Sequence, residues 1–412
     1  MQQTKNARRA VIGACIALFA NMGINSTFSI FLPSFTDEWG EDKMATIALS
    51  ATFGCVMTFL CSTFLFGALL KKAQPRTVFL LCGALATVYC LLCCFAPGMW
   101  MIILAGLFGG VNLAFGTHAM GVAAITPHFA AYGAKTPTII ALVLASASVG
   151  ATVFSFFPGA LLQILPWRQV YLVILAVVLA CSVIAFFVIP KHSLSAAGEN
   201  AGAAVQTTDV PGLTKKQAMQ TPAFWLVFLG ILFLAISYLG ISTYMPSLLT
   251  TYGMTQSTAS AMQGIMQGVG ILFVFLGGTI SNKLGVRGLI LLTALPLVAG
   301  ALLYALVYPN KAVVWLAVVC SVLCVTGAMT SNICPVITGI LFGSKELNNI
   351  NPVFSGGAFW GGAALATQVV GRVVLATGSF SKGYLTAAAI GIGGMVLLLA
   401  ALAANPMKKQ AN

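Results

Sequence analysis

Charge is what this 412-residue sequence has least of. Only 7% of its residues are charged, and 59% are hydrophobic, against roughly 25% charged in an ordinary soluble domain. Mean hydropathy is +0.99. A soluble chain needs polar cover for its surface, so this composition excludes a soluble enzyme, a disordered chain and a secreted disulfide scaffold. The seven acids are scarcer still: Asp37, Glu38, Glu41, Asp42, Glu199, Asp209 and Glu346. Four fall in a first external loop, two in a central linker and one in an internal loop. The expectation is therefore that no carboxylate sits inside a membrane helix. That removes the usual buried proton relay and the counter-charge a cationic solute needs. The eleven cysteines all lie in apolar runs and read as small hydrophobes. Nothing near Cys90, Cys93 and Cys94 completes a metal site. No phosphate loop, nucleophile–base pair or ligand cluster appears, so neither an enzyme nor a cofactor is expected. A cleavable signal is not expected either, since Lys5, Arg8 and Arg9 lead straight into a long apolar run.

What is present is length in apolar runs. Twelve segments, at about 10–35, 45–70, 76–97, 99–126, 136–165, 168–190, 222–249, 256–281, 287–308, 311–341, 351–376 and 382–404, are each long enough to cross a bilayer. Lipid cannot satisfy backbone groups, so they are read as helices. With both termini cytoplasmic, fifteen basic residues (Lys5, Arg8, Arg9, Lys71, Lys72, Arg76, Lys135, Lys191, Lys215, Lys216, Lys283, Arg287, Lys345, Lys408 and Lys409) fall inside. Four (Lys43, Arg168, Lys311 and Lys382) fall outside, and Arg372 remains within a helix. This asymmetry predicts a multi-pass protein of the cell (inner) membrane. The net charge of +13 is thus read as topology, with no nucleic-acid partner.

Residues 191–219 are small and polar and read as a cytoplasmic linker. They divide the chain into six-helix bundles at 1–190 and 220–412. The halves also match each other. Leu32-Pro33-Ser34 with Trp39-Gly40 pairs with Met245-Pro246-Ser247 and Tyr252-Gly253. Gly67 and Arg76 pair with Gly278 and Arg287, and Ala124-Ile125-Thr126 with Val336-Ile337-Thr338. All these pairs lie 211–213 residues apart, which indicates duplication of a six-helix unit.

The loop Gly278-Thr-Ile-Ser-Asn282-Lys283-Leu-Gly285-Val-Arg287 resembles the signature G-x-x-x-D-R/K-x-G-R/K-R/K of major facilitator transporters. The first-half copy keeps Gly67 and Arg76 but has Lys71 for the usual Asp and Gln74 for Gly. The resemblance covers nearly the whole chain. It implies an all-α membrane fold of twelve transmembrane helices in two pseudo-symmetric bundles, working by alternating access, and by fold-level analogy a monomer. Thr214-Lys-Lys-Gln-Ala-Met-Gln-Thr221-Pro222-Ala-Phe224-Trp225 is similar to the oxalate/formate antiporter and monocarboxylate porter branch. So are the run from Gly23 to Pro33 and Phe359-Trp360. The oxalate carriers' arginine in the eighth helix and lysine in the eleventh have no counterpart here, so that site does not carry over.

In the family's fold helices 1, 4, 7 and 10 line the cavity, which makes Asn25, Asn112 and Asn332 (with Asn21) candidate solute contacts or interhelical glue. Tyr238, Tyr244 and Trp360 are candidate aromatic walls or packing groups. Arg372, with Gln368 one turn earlier, either grips a carboxylate or snorkels to headgroups. His118 is the one intramembrane group able to couple flux to pH, or else a helix-to-helix hydrogen bonder. Gly67, Arg76, Gly278, Asn282, Lys283, Gly285 and Arg287 form the cytoplasmic loop motif. The sequence reading is a carrier of a small monocarboxylate-like organic anion, by uniport, exchange against a counter-anion, or symport with protons. The alternatives are an exporter of a neutral or amphipathic solute, and a receptor-like protein on the same fold.

Overall fold

The computed structural model describes residues 2–65, 69, 73–116, 118–125, 136–191, 212–310, 313–343, 346, 350–351 and 353–407, and of 2–4, 63, 118–119, 122–123, 136–138, 140–141, 274–282 and 310 the backbone alone. Most of the linker, Gly67, Lys71 and Lys72 therefore lie outside the described residues, as do the side chains of His118 and Asn282. The described chain is almost wholly helical. Its helices are α1 Gln2–Asn25, α2 Phe28–Trp39, α3 Leu49–Leu60, α4 Pro75–Cys94, α5 Met99–Phe115, α6 His118–Ile125, α7 Thr136–Leu161 and α8 Trp167–Val188. After the linker come α9 Lys215–Met219, α10 Pro222–Thr251, α11 Gln256–Leu302, α12 Val314–Cys324, α13 Thr330–Phe342, α14 Phe359–Thr377 and α15 Phe380–Ala403. Ten described helical stretches are long and apolar enough to cross a membrane, and Met99–Phe115 adds a shorter one. With the eighth apolar segment forming the first half of α11, this is the all-α, twelve-helix architecture. β-Pairing among the described residues is confined to a bridge between Gly212 and Gly343.

Local chemistry sets the helix ends. Gln74 precedes Pro75, and Thr221 precedes Pro222 while its hydroxyl caps the Phe224 N–H. Proline in a first turn forfeits no helical hydrogen bond. Several apolar segments are not single straight helices. The first breaks between α1 and α2, where the Ser26 and Thr27 hydroxyls turn back onto the carbonyls of Gly23 and Ile24 at 2.7 and 2.8 Å. The fourth breaks at Gly116, and the tenth tightens to a 3-10 turn at Val325–Met329. The 47 residues of α11 are two spans, parted at Gly285, where φ is 67° and ψ is 179°.

Contacts divide the chain into two units. Unit 1 comprises residues 1–41, 49–206 and 256–264; unit 2 comprises 42–48, 207–255 and 265–412. In unit 1, α1 is flanked by α7, α8 and α6. Its buried stripe Ala10, Ala14, Ala17 and Leu18 meets Phe79, Cys82, Phe115, Val143 and Ala185. The small residues let neighbouring backbones approach, which is how helices pack when lipid is as apolar as the core. α3 and α5 also approach closely. A Cβ on Gly106 or Gly110 would overlap the carbonyls of Ser50 and Gly54. Ser50 Oγ donates to the Ile102 carbonyl at 2.7 Å and Thr58 Oγ1 to that of Gly110 at 3.0 Å. In unit 2, α10 packs between α14 and α15, with the Tyr384 hydroxyl donating to the Ile241 carbonyl at 3.0 Å.

Candidate functional site

Three asparagines converge in the interior of unit 1. Asn21 and Asn112 are buried and Asn25 is half-buried. Asn21 Nδ2 donates to the Ala17 carbonyl at 2.9 Å. Asn112 Nδ2 donates to the Cys82 carbonyl at 2.7 Å and to Asn21 Oδ1 at 2.9 Å. Asn25 Nδ2 donates to the Asn21 carbonyl at 2.7 Å and to Asn112 Oδ1 at 3.0 Å. A main-chain carbonyl only accepts, so each of these three contacts fixes which end of its amide carries nitrogen. The network ties α1 to α4 and α5. It uses both of Asn112's donors and one lone pair of its oxygen, which holds Asn112 between the helices. Both N–H groups of Asn25 are used as well, while its Oδ1 receives no donor among the described residues.

At the far end of α2 the structure corrects the sequence expectation about acids. Asp37 and Glu38 belong to the last turn of that helix, not to a loop. Glu38 is held there by Arg168 in a two-pronged pair at 2.6 and 2.9 Å, and by the Trp167 indole N–H at 2.8 Å. Arg168 also donates to the Ala96 carbonyl at 3.0 Å and lies 4.2 Å over the Trp167 ring. The helix extends because the acid finds its cation on α8 and because Phe31, Phe35 and Trp39 continue into the aromatic cluster of Trp167 and Tyr171. Sequence spacing gave no hint of this clamp, whose partners stand 130 residues apart.

In unit 2 the predicted residues separate by role. Tyr244 is fully buried, and its hydroxyl donates to the Thr367 carbonyl at 2.8 Å beneath side-chain-free Gly371. It braces α10 on α14. Tyr238 packs its ring on Gly327 and is 6% exposed. Gln368 Nε2 donates to the Ala45 carbonyl at 3.3 Å. Trp360 is half-buried, edge-on to Phe359. Asn332 is also half-buried, on α13 beside exposed Ser331 and two residues before Cys334. Arg372 is not grouped with these. It is exposed, two turns along α14 from Leu365 and one turn before Leu375, each of the two leucines 47% exposed.

The loop motif explains its own asymmetry. Lys283 and Arg287 are exposed around Gly285, whose φ of 67° with ψ of 179° is a region open essentially to glycine alone. Gln74, at the matching position of the first copy, has φ −81° and ψ 143°, which any residue adopts. Its side chain accepts from Arg76 Nε at 3.0 Å, and the Arg76 guanidinium sits 5.1 Å over Phe186. The departure from glycine thus follows a different turn. Gly285→Ala is expected to cost about 1–3 kcal/mol, read as a lower Tm in detergent. Gly361→Ala, in open space on a helix with no positive φ, should not lower it. Equal Tm values for the two variants would contradict the strained turn.

The comparisons with known proteins agree with this architecture. The family model described as Major Facilitator Superfamily matches residues 14–364. No curated protein sequence matches significantly. Among solved structures, the nucleoside transporter NupG is similar with a TM-score of 0.74 and 13% identity, over 96% of this chain and 98% of that one. A bacterial homologue of the human lysosomal transporter Spinster, solved inward-facing and occupied, is similar with a TM-score of 0.67 and 13% identity, over 97% and 96%. At these identities the likeness establishes the fold alone. With the family model spanning most of the sequence and the helices arranged as that fold requires, this chain belongs to the Major Facilitator Superfamily.

Proposed function

We propose that this protein carries a small organic solute across the membrane by alternating access, and that it recognises the solute through uncharged hydrogen-bonding groups. One observation carries the reading: the polar side chains buried among the described residues are those of asparagine, glutamine, serine, threonine and tyrosine, and none is charged. Burying a charged solute without a partner charge is costly, whereas a neutral polar solute needs only donors and acceptors. The half-buried Asn25 and Trp360 supply such groups. Both termini are assigned to the cytoplasmic side on the distribution of basic residues.

A monocarboxylate-like anion is the second reading. Arg372 favours it, being a helical cation with no ion-pair partner among the described residues. Its exposure between Leu365 and Leu375 suits headgroup snorkelling better. His118 remains the coupling group for a proton-linked mode.

The test is flux into proteoliposomes. Labelled hexose, polyol and nucleoside are compared with labelled formate, lactate and oxalate at several pH values, for the wild type and Arg372→Ala. Saturable uptake of an uncharged solute, unchanged in Arg372→Ala, is expected. Uptake of a monocarboxylate alone, abolished in Arg372→Ala, would replace the first reading with the second. Absence of flux with every solute would favour the receptor-like class.

A further inference from the structure

We propose that Asn25 Oδ1 is a fixed acceptor subsite within unit 1, one that takes a hydroxyl or N–H of the transported solute and rejects a carboxylate oxygen. The inference rests on the carrier reading and adds the chemical polarity of one contact. An asparagine side chain normally offers a donor and an acceptor and can rotate to present either. Here rotation is blocked. Asn25 Nδ2 donates both to the Asn21 carbonyl at 2.7 Å and to Asn112 Oδ1 at 3.0 Å. Turning the amide over would set oxygen against both. Asn112 cannot turn to accommodate it, because its own nitrogen faces the Cys82 carbonyl at 2.7 Å. The orientation is thus fixed by main chain on two helices, and the oxygen of Asn25 is the end left over.

That oxygen has room in front of it. It lies on the half-buried side of α1, at the last residue before the helix breaks. Gly109 of α5 stands beside it without a side chain, and even a Cβ there would come no nearer than 4.0 Å to the oxygen. Ser26, the next residue, does not compete: its hydroxyl is turned to the Gly23 and Ala151 carbonyls at 2.7 and 3.1 Å. A solute hydroxyl or N–H can donate to Asn25 Oδ1. A carboxylate oxygen brings only lone pairs to a lone pair.

The experiment pairs each uncharged solute that the wild type carries (hexose, polyol or nucleoside) with its O-methyl or N-methyl counterpart, in proteoliposomes. Losing the donor should lower wild-type uptake efficiency by about tenfold for the methyl position that meets Asn25. In Asn25→Ala that ratio should fall to within about twofold of unity. A ratio that stays near tenfold in a transport-competent Asn25→Ala overturns the proposal. Should that variant fail to fold, Asn25→Ser decides instead: its hydroxyl can turn back to a carbonyl of its own helix, as that of Ser26 does, but is too short to take the place of Oδ1. The ratio should again fall to within about twofold of unity, and a ratio that stays near tenfold overturns the proposal. Failure of the carrier reading looks different, since no solute then moves in the wild type at all.

Discussion

Gly110→Val is expected to abolish the folded carrier. A Cβ at Gly110 overlaps the Gly54 carbonyl of α3, and both partners are helix backbone, which has no rotamer to change. The only relief is to push α3 and α5 apart. That breaks the Thr58–Gly110 and Ser50–Ile102 hydrogen bonds and opens gaps along Gly54 and Gly106. Overpacking of this kind belongs to the rare substitutions costing about 4 kcal/mol or more. The measurement is membrane yield and the monodisperse fraction in detergent. Gly109→Ala next door provides the contrast. Its Cβ would come to 3.3 Å of the Tyr89 ring, which can shift, so near-wild-type yield is expected. A monodisperse Gly110→Val of unchanged Tm would mean that the two helices do not cross this closely.

Asn112→Leu is expected to reduce flux further than its effect on stability accounts for. The variant keeps the branching at Cγ but loses three hydrogen bonds: two donated, to Cys82 and Asn21, and one accepted, from Asn25. At about 0.6 kcal/mol each within a membrane, the loss is about 2 kcal/mol, a modest drop in Tm. Asn25 is then held by the Asn21 carbonyl alone and is free to turn its nitrogen toward the solute. Uptake of the best uncharged solute should therefore fall about tenfold or more in folded, monodisperse protein. Wild-type uptake at the lowered Tm would show that the network is structural glue alone.

Much of the fold was legible because lipid imposes one rule on every residue. Apolar runs of spanning length must be helices, and scarce charges must mark the loops. Twelve segments, the repeat offset and the motif around Gly285 all followed from that. The site was harder to read. Asn25 and Asn112 stood out as amides in apolar helices, but 87 positions separate them, and only packing decides which atoms meet. Tyr244 reads from the sequence as an aromatic wall or a packing group, and Gln368 as the neighbour of Arg372 one turn earlier; only the structure shows that the hydroxyl of one and the amide of the other bond to main-chain carbonyls within unit 2. Glu38 shows the limit from the other side. A carboxylate beside an apolar run reads as the start of a loop, yet helix α2 runs through it because Arg168 and Trp167 receive it.

The sequence by itself determined the solvent, the helices and their number, since hydropathy and spacing are properties of the chain read in order. The tertiary structure alone decided what each polar group is for. A hydrogen bond lasts only a few ångströms, so whether an amide holds helices together or keeps an oxygen open to a solute depends on which helix lies beside it.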